Sequence, residues 1–161
     1  MKNLFIRFAL CFALVMVAAS SFADNRLYVK DFAINPGETK IAEIYLESDM
    51  SIISLQADIK LPEGLTIDCD EVTLTDRAKR HSIMAHEKDG VYTIMSFSMN
   101  NAAYKGTDGA IIEIPVTASN EFKQSGTIYM SDILLQASDR SVPVSHGNSE
   151  SQVFIATIPV E

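Results

Sequence analysis

The side chains of this 161-residue chain best equipped for chemistry are its three histidines, its two cysteines and a short acidic run at Asp68, Asp70 and Glu71. Metal binding and acid–base work both need such groups brought close together, so spacing decides what they can do. His81 and His86 lie in a stretch that reads as a strand, and an odd spacing there puts them on opposite faces. They cannot share one ion without a bulge. His81 reads as a packed or hydrogen-bonded residue, and His146, in a polar loop, has no evident partner. Ca²⁺ takes about six to eight oxygens, and the acidic run lacks the spaced Asp/Asn and Gly of a calcium loop. It reads as a solvated acidic turn, with calcium left open. Gly-x-Ser-x-Gly, a phosphate-cradling glycine loop and a paired-carboxylate signature are absent. The expectation is a protein that is not an enzyme and carries no cofactor or metal.

A sugar-binding role would need exposed aromatic faces. Trp is absent, and the outward candidates are Tyr45, Tyr92, Tyr104 and Tyr129, each of which reads first as a half-buried amphipathic residue of a sheet.

The elements that must position these groups are strands. In Ser51–Lys60, Ile53, Leu55, Ala57 and Ile59 fall on one side and Ser54, Gln56, Asp58 and Lys60 on the other. The alternation stops at Leu61-Pro62-Glu63-Gly64, because Pro62 lacks a backbone donor and Gly64 can take a positive φ. Leu65 and Ile67 then resume the apolar face. Upstream, Arg26–Ile34 reads as one strand closed by Asn35-Pro36-Gly37-Glu38. Thr39–Ser48 alternates with Ala42, Ile44 and Leu46 inward, and its two-residue link to the next strand predicts a hairpin between them. Downstream, Val72–Leu74 is a brief strand and Thr75–Arg80 a possible helical turn. His81–His86 and Val91–Ser98 form a hairpin at Asp89-Gly90, a dipeptide suited to a primed turn. Asn100–Gly109 is a loop. Ala110–Ala118 carries Ile112, Ile114 and Val116 inward with Pro115 outward, which predicts an edge strand or a bulge. Thr127–Ala137 and Gln152–Pro159 complete the set around a Ser138–Ser151 loop. Short strands at intervals of about 10 residues, with no capped helical pattern, argue for an all-β antiparallel sandwich.

Met1–Arg7 is basic, Phe8–Ala19 apolar and Ser20–Ala23 small, the layout of a secretory signal cleaved near Ala23. Residues 24–161 then form a single domain, secreted, periplasmic or at the cell surface, with no membrane span. Loss of Lys2 and Arg7 takes the 13 basic residues to 11 against 21 acidic ones, and the formal charge from −8 to −10. That balance disfavours nucleic acid and anionic membrane. Cys11 leaves with the signal, so Cys69 has no intramolecular disulfide partner and is expected to be buried.

The runs LQADIKLPEGL, DRAKRHSI (Asp76–Ile83) and YTIMSFSMNNAAYKGTDGAIIEIPV (Tyr92–Val116) together resemble the cohesin-type β-sandwich modules of secreted proteins from Bacteroides-like bacteria, over nearly all of the chain after residue 26. The resemblance implies a jelly roll of about nine strands in two sheets, and a module that docks a dockerin-like or surface-assembly protein partner against one sheet face. In the family the Ser51–Lys60 strand contributes to that face, so the outward residues Gln56, Asp58 and Lys60 are the candidate partner-contact positions. The alternative is a carbohydrate-binding accessory to extracellular polysaccharide breakdown, with Tyr45, Tyr92, Tyr104 and Tyr129 as the stacking residues.

Overall fold

The computed structural model describes residues 25–139 and 148–156. The segment expected to be a secretory signal, Cys11 and His146 lie outside them.

The described residues form eleven strands: β1 (Arg26–Val29), β2 (Phe32–Ile34), β3 (Thr39–Glu47), β4 (Ile52–Lys60), β5 (Leu65–Ile67), β6 (Thr73–Leu74), β7 (Ser82–Lys88), β8 (Val91–Phe97), β9 (Ala110–Ala118), β10 (Gly126–Ala137) and β11 (Ser149–Ile155). One sheet runs β1-β3-β9-β5, with β6 also paired to β9; the other runs β2-β11-β10-β4-β8-β7. The pairs are antiparallel except β2 with β11. Leu55, Ala57 and Ile59 of β4 face Ala42, Ile44 and Leu46 of β3 and Ile112, Ile114 and Val116 of β9 across one buried core. The inward sets expected from alternation are the buried ones. The Asp89-Gly90 hairpin forms as expected, with φ of 53° and 79°, and Gly90 N–H donates to Glu87 Oε1 at 2.7 Å. The helical turn expected within Thr75–Arg80 is a 3-10 helix, Asp76–Ala78, and a second one spans Cys69–Glu71.

Several expectations fail, each because strand pairing is decided at long range. The stretch 26–34 is two strands in different sheets. Lys30 N–H still bonds Glu43 O at 3.3 Å, while Asp31 Oδ1 already accepts from Gln152 N–H of β11 at 2.8 Å. Nor do β3 and β4 form a hairpin, since they belong to opposite sheets. Their link turns through the core edge, where Ser48 Oγ accepts from Met50 N–H at 3.0 Å and donates to Asn25 Oδ1. Two apolar faces joined by a short link can be buried by facing each other, which is what β3 and β4 do.

Pro115 is buried rather than outward, and β9 is an interior strand. Its carbonyl accepts from Asp68 N–H at 3.2 Å, just where β5 has ended and β6 has not begun. The missing proline donor falls in the gap between two short partners, which is why an interior strand tolerates it. Cys69 is half-buried in its 3-10 turn, not fully buried. Gly126 is held tightly, since a Cβ there would lie 2.5 Å from Pro62 Cβ.

Candidate functional site

The outer face of β7, β8, β4 and β10 carries side chains in rows set by the register. The first row is Ser82, Phe97, Ser54 and Gln136; the second is Met84, Met95, Gln56 and Leu134. The third is His86, Thr93, Asp58 and Ser131, and the fourth is Lys88, Val91, Lys60 and Tyr129. Cross-strand neighbours on one face lie close enough to act together, so each row is a surface about four strands wide. The second row stands out because large apolar side chains are left in water: Met84 is 61%, Met95 37% and Leu134 60% exposed. In the third row Thr93 Oγ1 donates to Asp58 Oδ1 at 2.7 Å. That bond aims one carboxylate oxygen along the sheet and leaves the other for a ligand.

A β-bulge shapes the same region. Between Ser131, opposite Asp58, and Leu134, opposite Gln56, β10 has two residues where β4 has one. Asp132 takes up the extra length with φ of 47°, a left-handed conformation that a non-glycine residue adopts at a cost. Bulges re-aim side chains and raise the local twist. Here the bulge adds an exposed second carboxylate beside Asp58 and restores Leu134 to the outer face.

Gln56, Asp58 and Lys60 therefore lie where the alternation put them, two half-buried and Lys60 exposed. Leu134, Met84, Met95 and Asp132 were missed. Met84 and Met95 could have been found from the Asp89-Gly90 turn, since its register pairs them directly.

The tyrosines fare differently. Tyr129 is half exposed and lies in the fourth row. Tyr45 stacks on Tyr28 with centroids 5.6 Å apart, on the other sheet, and Lys30 sits 5.1 Å from its ring centre. Tyr92 and Tyr104 are not outward but lie in the core, 8% and 6% exposed. In β8 the Tyr92, Ile94, Ser96 side faces the core, and both faces of that strand carry enough apolar residues to hide its parity. Tyr104 folds back into the core from its loop and donates to Ser96 Oγ at 2.8 Å. Burial raises its phenol well above the ordinary range. The four rings do not form a platform.

His81 packs face to face on Tyr104, with centroids 3.9 Å apart and planes 10° from parallel. Both ring nitrogens are buried, with the backbone of Ala78, Ala102 and Ile53 beside them. Burial, more than any other influence, lowers its pKa below the ordinary 6.5. This is a packing role. Close by, Arg77 donates to the carbonyls of Leu46 (3.1 Å), Gly106 (3.0 Å), Gly109 and Lys105, tying the 105–109 loop to β3. Among the described residues no group of three or more His, Cys, Asp or Glu is placed to hold a metal ion. Asp68 instead accepts from Asp70 N–H at 3.1 Å, capping its own turn. Burial, followed by Asp70 and Asp68, pushes the Cys69 thiol up.

Neither a family model nor a curated relative matches the sequence. Solved structures do resemble the fold. The sixth cohesin of scaffoldin B from Acetivibrio cellulolyticus, solved in complex with a Cel5 dockerin mutant, superposes with a TM-score of 0.69 at 15% identity, over 83% of this chain and 99% of that one. A non-cellulosomal cohesin from Archaeoglobus fulgidus gives 0.66 at 11%, over 81% and 91%. The cohesin module of a family 33 glycoside hydrolase from Clostridium perfringens gives 0.65 at 16%, over 83% and 96%. Two sheets packed on one core, with matches spanning most of each chain, make the fold of this protein the cohesin-type β-sandwich.

Proposed function

We propose that this chain is an exported, non-catalytic docking module that binds a dockerin-like protein partner on the outer face of β7, β8, β4 and β10. The observation that carries the reading is the second row, in which Met84, Met95 and Leu134 stand exposed around Gln56, beside the Thr93-braced Asp58. Exposed apolar side chains grouped with aimed polar ones are the anatomy of an interface, with an apolar centre and a polar rim. The neighbouring carboxylates Asp58 and Asp132 favour a basic residue on the partner's flank. Several structures with this fold were solved in complex with dockerins, which supports a protein as the occupant. The sugar reading has lost its assembled platform, since Tyr92 and Tyr104 lie in the core.

The test starts with capture of partners from the native envelope fraction, followed by titration of each captured protein against purified variants. Leu134→Glu should weaken binding by at least about 30-fold, because burying an unpaired charge at an interface centre costs about 2 kcal/mol or more. Tyr28→Ala, on the opposite sheet, should leave affinity unchanged. Equal binding by wild type and Leu134→Glu would remove this face as the site, and binding of a glycan array without any protein partner would favour the sugar reading.

A further inference from the structure

At the β7 edge of this face, three exposed side chains share a chemistry that docking does not require. Met84 and Met95 are direct cross-strand partners. His86 follows Met84 by two residues on the same side of β7, opposite Thr93 and diagonal to Met95. Directly opposed side chains have Cβ atoms about 4.5–5.5 Å apart, and diagonal neighbours at about 7–8 Å are still within reach of long or aromatic side chains. Each methionine has three rotatable bonds beyond its backbone, so two sulfurs can converge on one point above the strands. The imidazole of His86 can reach the same point.

The donor set is specific in kind. Thioether sulfur is soft and uncharged, a poor ligand for Ca²⁺ or Mg²⁺ and a good one for Cu(I), and imidazole also suits copper. Leucine at positions 84 and 95 would supply the same apolar surface without the sulfur. The other described methionines make no such set. Met130 is buried, the Met50 sulfur accepts from Asn25 Nδ2 at 3.7 Å, and Met99 stands exposed in the turn after β8.

We propose that Met84, Met95 and His86 form a binding site for a soft monovalent cation, Cu(I), for which Ag(I) is the redox-inert probe. Two neutral sulfurs and one neutral nitrogen leave the ion's positive charge uncompensated within the ligand set. That charge would sit between the Met84 row and the row that His86 shares with Asp58, two strands from β10. The site shares Met84 and Met95 with the docking face, but it needs only β7 and β8, so it can be tested on this chain alone with no partner present.

Ag(I) is titrated into the full chain carrying Cys11→Ser and Cys69→Ser, which removes both thiols as competing ligands. The expected result is saturable binding of one equivalent, with the ε-methyl resonances of Met84 and Met95 shifted and that of Met99 unmoved. Met84→Leu, Met95→Leu and His86→Gln should each weaken binding by at least about tenfold, since loss of a group that merely supports a metal ligand already costs about 10–100-fold. Met99→Leu should change nothing, and Zn(II) should leave both methyls in place. The exchange of methionine for leucine at exposed positions preserves volume, and unchanged melting of these variants separates loss of ligand from loss of fold. Binding that is unsaturable, that survives both leucine variants, or that Met99→Leu weakens as much as the others would overturn the site.

Discussion

At one end of the sandwich, Arg77 donates to four backbone carbonyls, Tyr104 bonds Ser96, and His81 lies flat on Tyr104. On the outer face of the six-stranded sheet, Gln56, Lys60, Met84, Met95 and Leu134 have their functional groups turned to water, and Asp58 is braced by Thr93. Both regions draw on DRAKRHSI and YTIMSFSMNNAAYKGTDG, so the same stretches supply a closed polar knot and an open surface. Buried polar groups must be satisfied internally or they destabilise the fold. Groups on a wet face carry no such requirement and can be held for a partner. The difference therefore separates residues that hold the molecule together from residues that can change without unfolding it.

That separation is most exposed to test just beneath the open face. Leu55, 3% exposed, sits one residue from Gln56 on the opposite side of β4. Leu55→Ala should cost about 2–5 kcal/mol in denaturant titration, the range for emptying a packed core position. Should it cost nothing, β4 would be in the reverse register and the outer face wrongly assigned.

At the closed end, Arg77→Ala should cost about 2–3 kcal/mol, because hydrogen bonds from a charged donor each contribute about 1.5–3 kcal/mol and water can replace some of those lost. Arg77→Lys should recover little of it, since an ammonium cannot reproduce the fork that reaches Leu46, Gly106 and Gly109 together. Hydrogen exchange at residues 105–109 would report the loosened loop.

The pH dependence sharpens the contrast from another side. The pKa of His81 is lowered in the folded chain from 6.5, so as pH falls through 6.5 the unfolded chain takes up a proton that the folded chain refuses. Stability from the neutral, packed ring is thus fully present above 6.5 and is lost progressively below it, down to the depressed folded value. Denaturant midpoints compared on either side of 6.5 should fall on the acid side, and His81→Phe, which keeps the ring stack, should flatten that part of the profile. An unchanged profile would mean that the ring is not shielded.

The smallest stability effects belong to the open face. Asp58→Ala and Leu134→Gln should each shift stability by no more than about 0.5 kcal/mol, as surface changes away from special features do. Their effect should appear in partner affinity instead. If Asp58→Ala destabilised the fold as much as Arg77→Ala, the Thr93 bond would be structural and the contrast between the two regions would collapse.

By itself the sequence determined which side of each long strand is apolar, because the two-residue period is a property of one segment alone. Ala42/Ile44/Leu46, Leu55/Ala57/Ile59 and Ile112/Ile114/Val116 were legible for that reason, as were the Asp89-Gly90 turn and the outward set Gln56, Asp58 and Lys60. Which sheet a strand joins is settled by partners far away in the chain, and no local pattern encodes it. Only the tertiary structure could divide residues 26–34 between two sheets, send β3 and β4 to opposite layers, and place Pro115 in the gap between β5 and β6. The same holds for the site. Leu134 meets Gln56 only because a bulge at Asp132 absorbs one residue, and Tyr104 leaves its loop only because Ser96 and His81 wait inside the core to receive it.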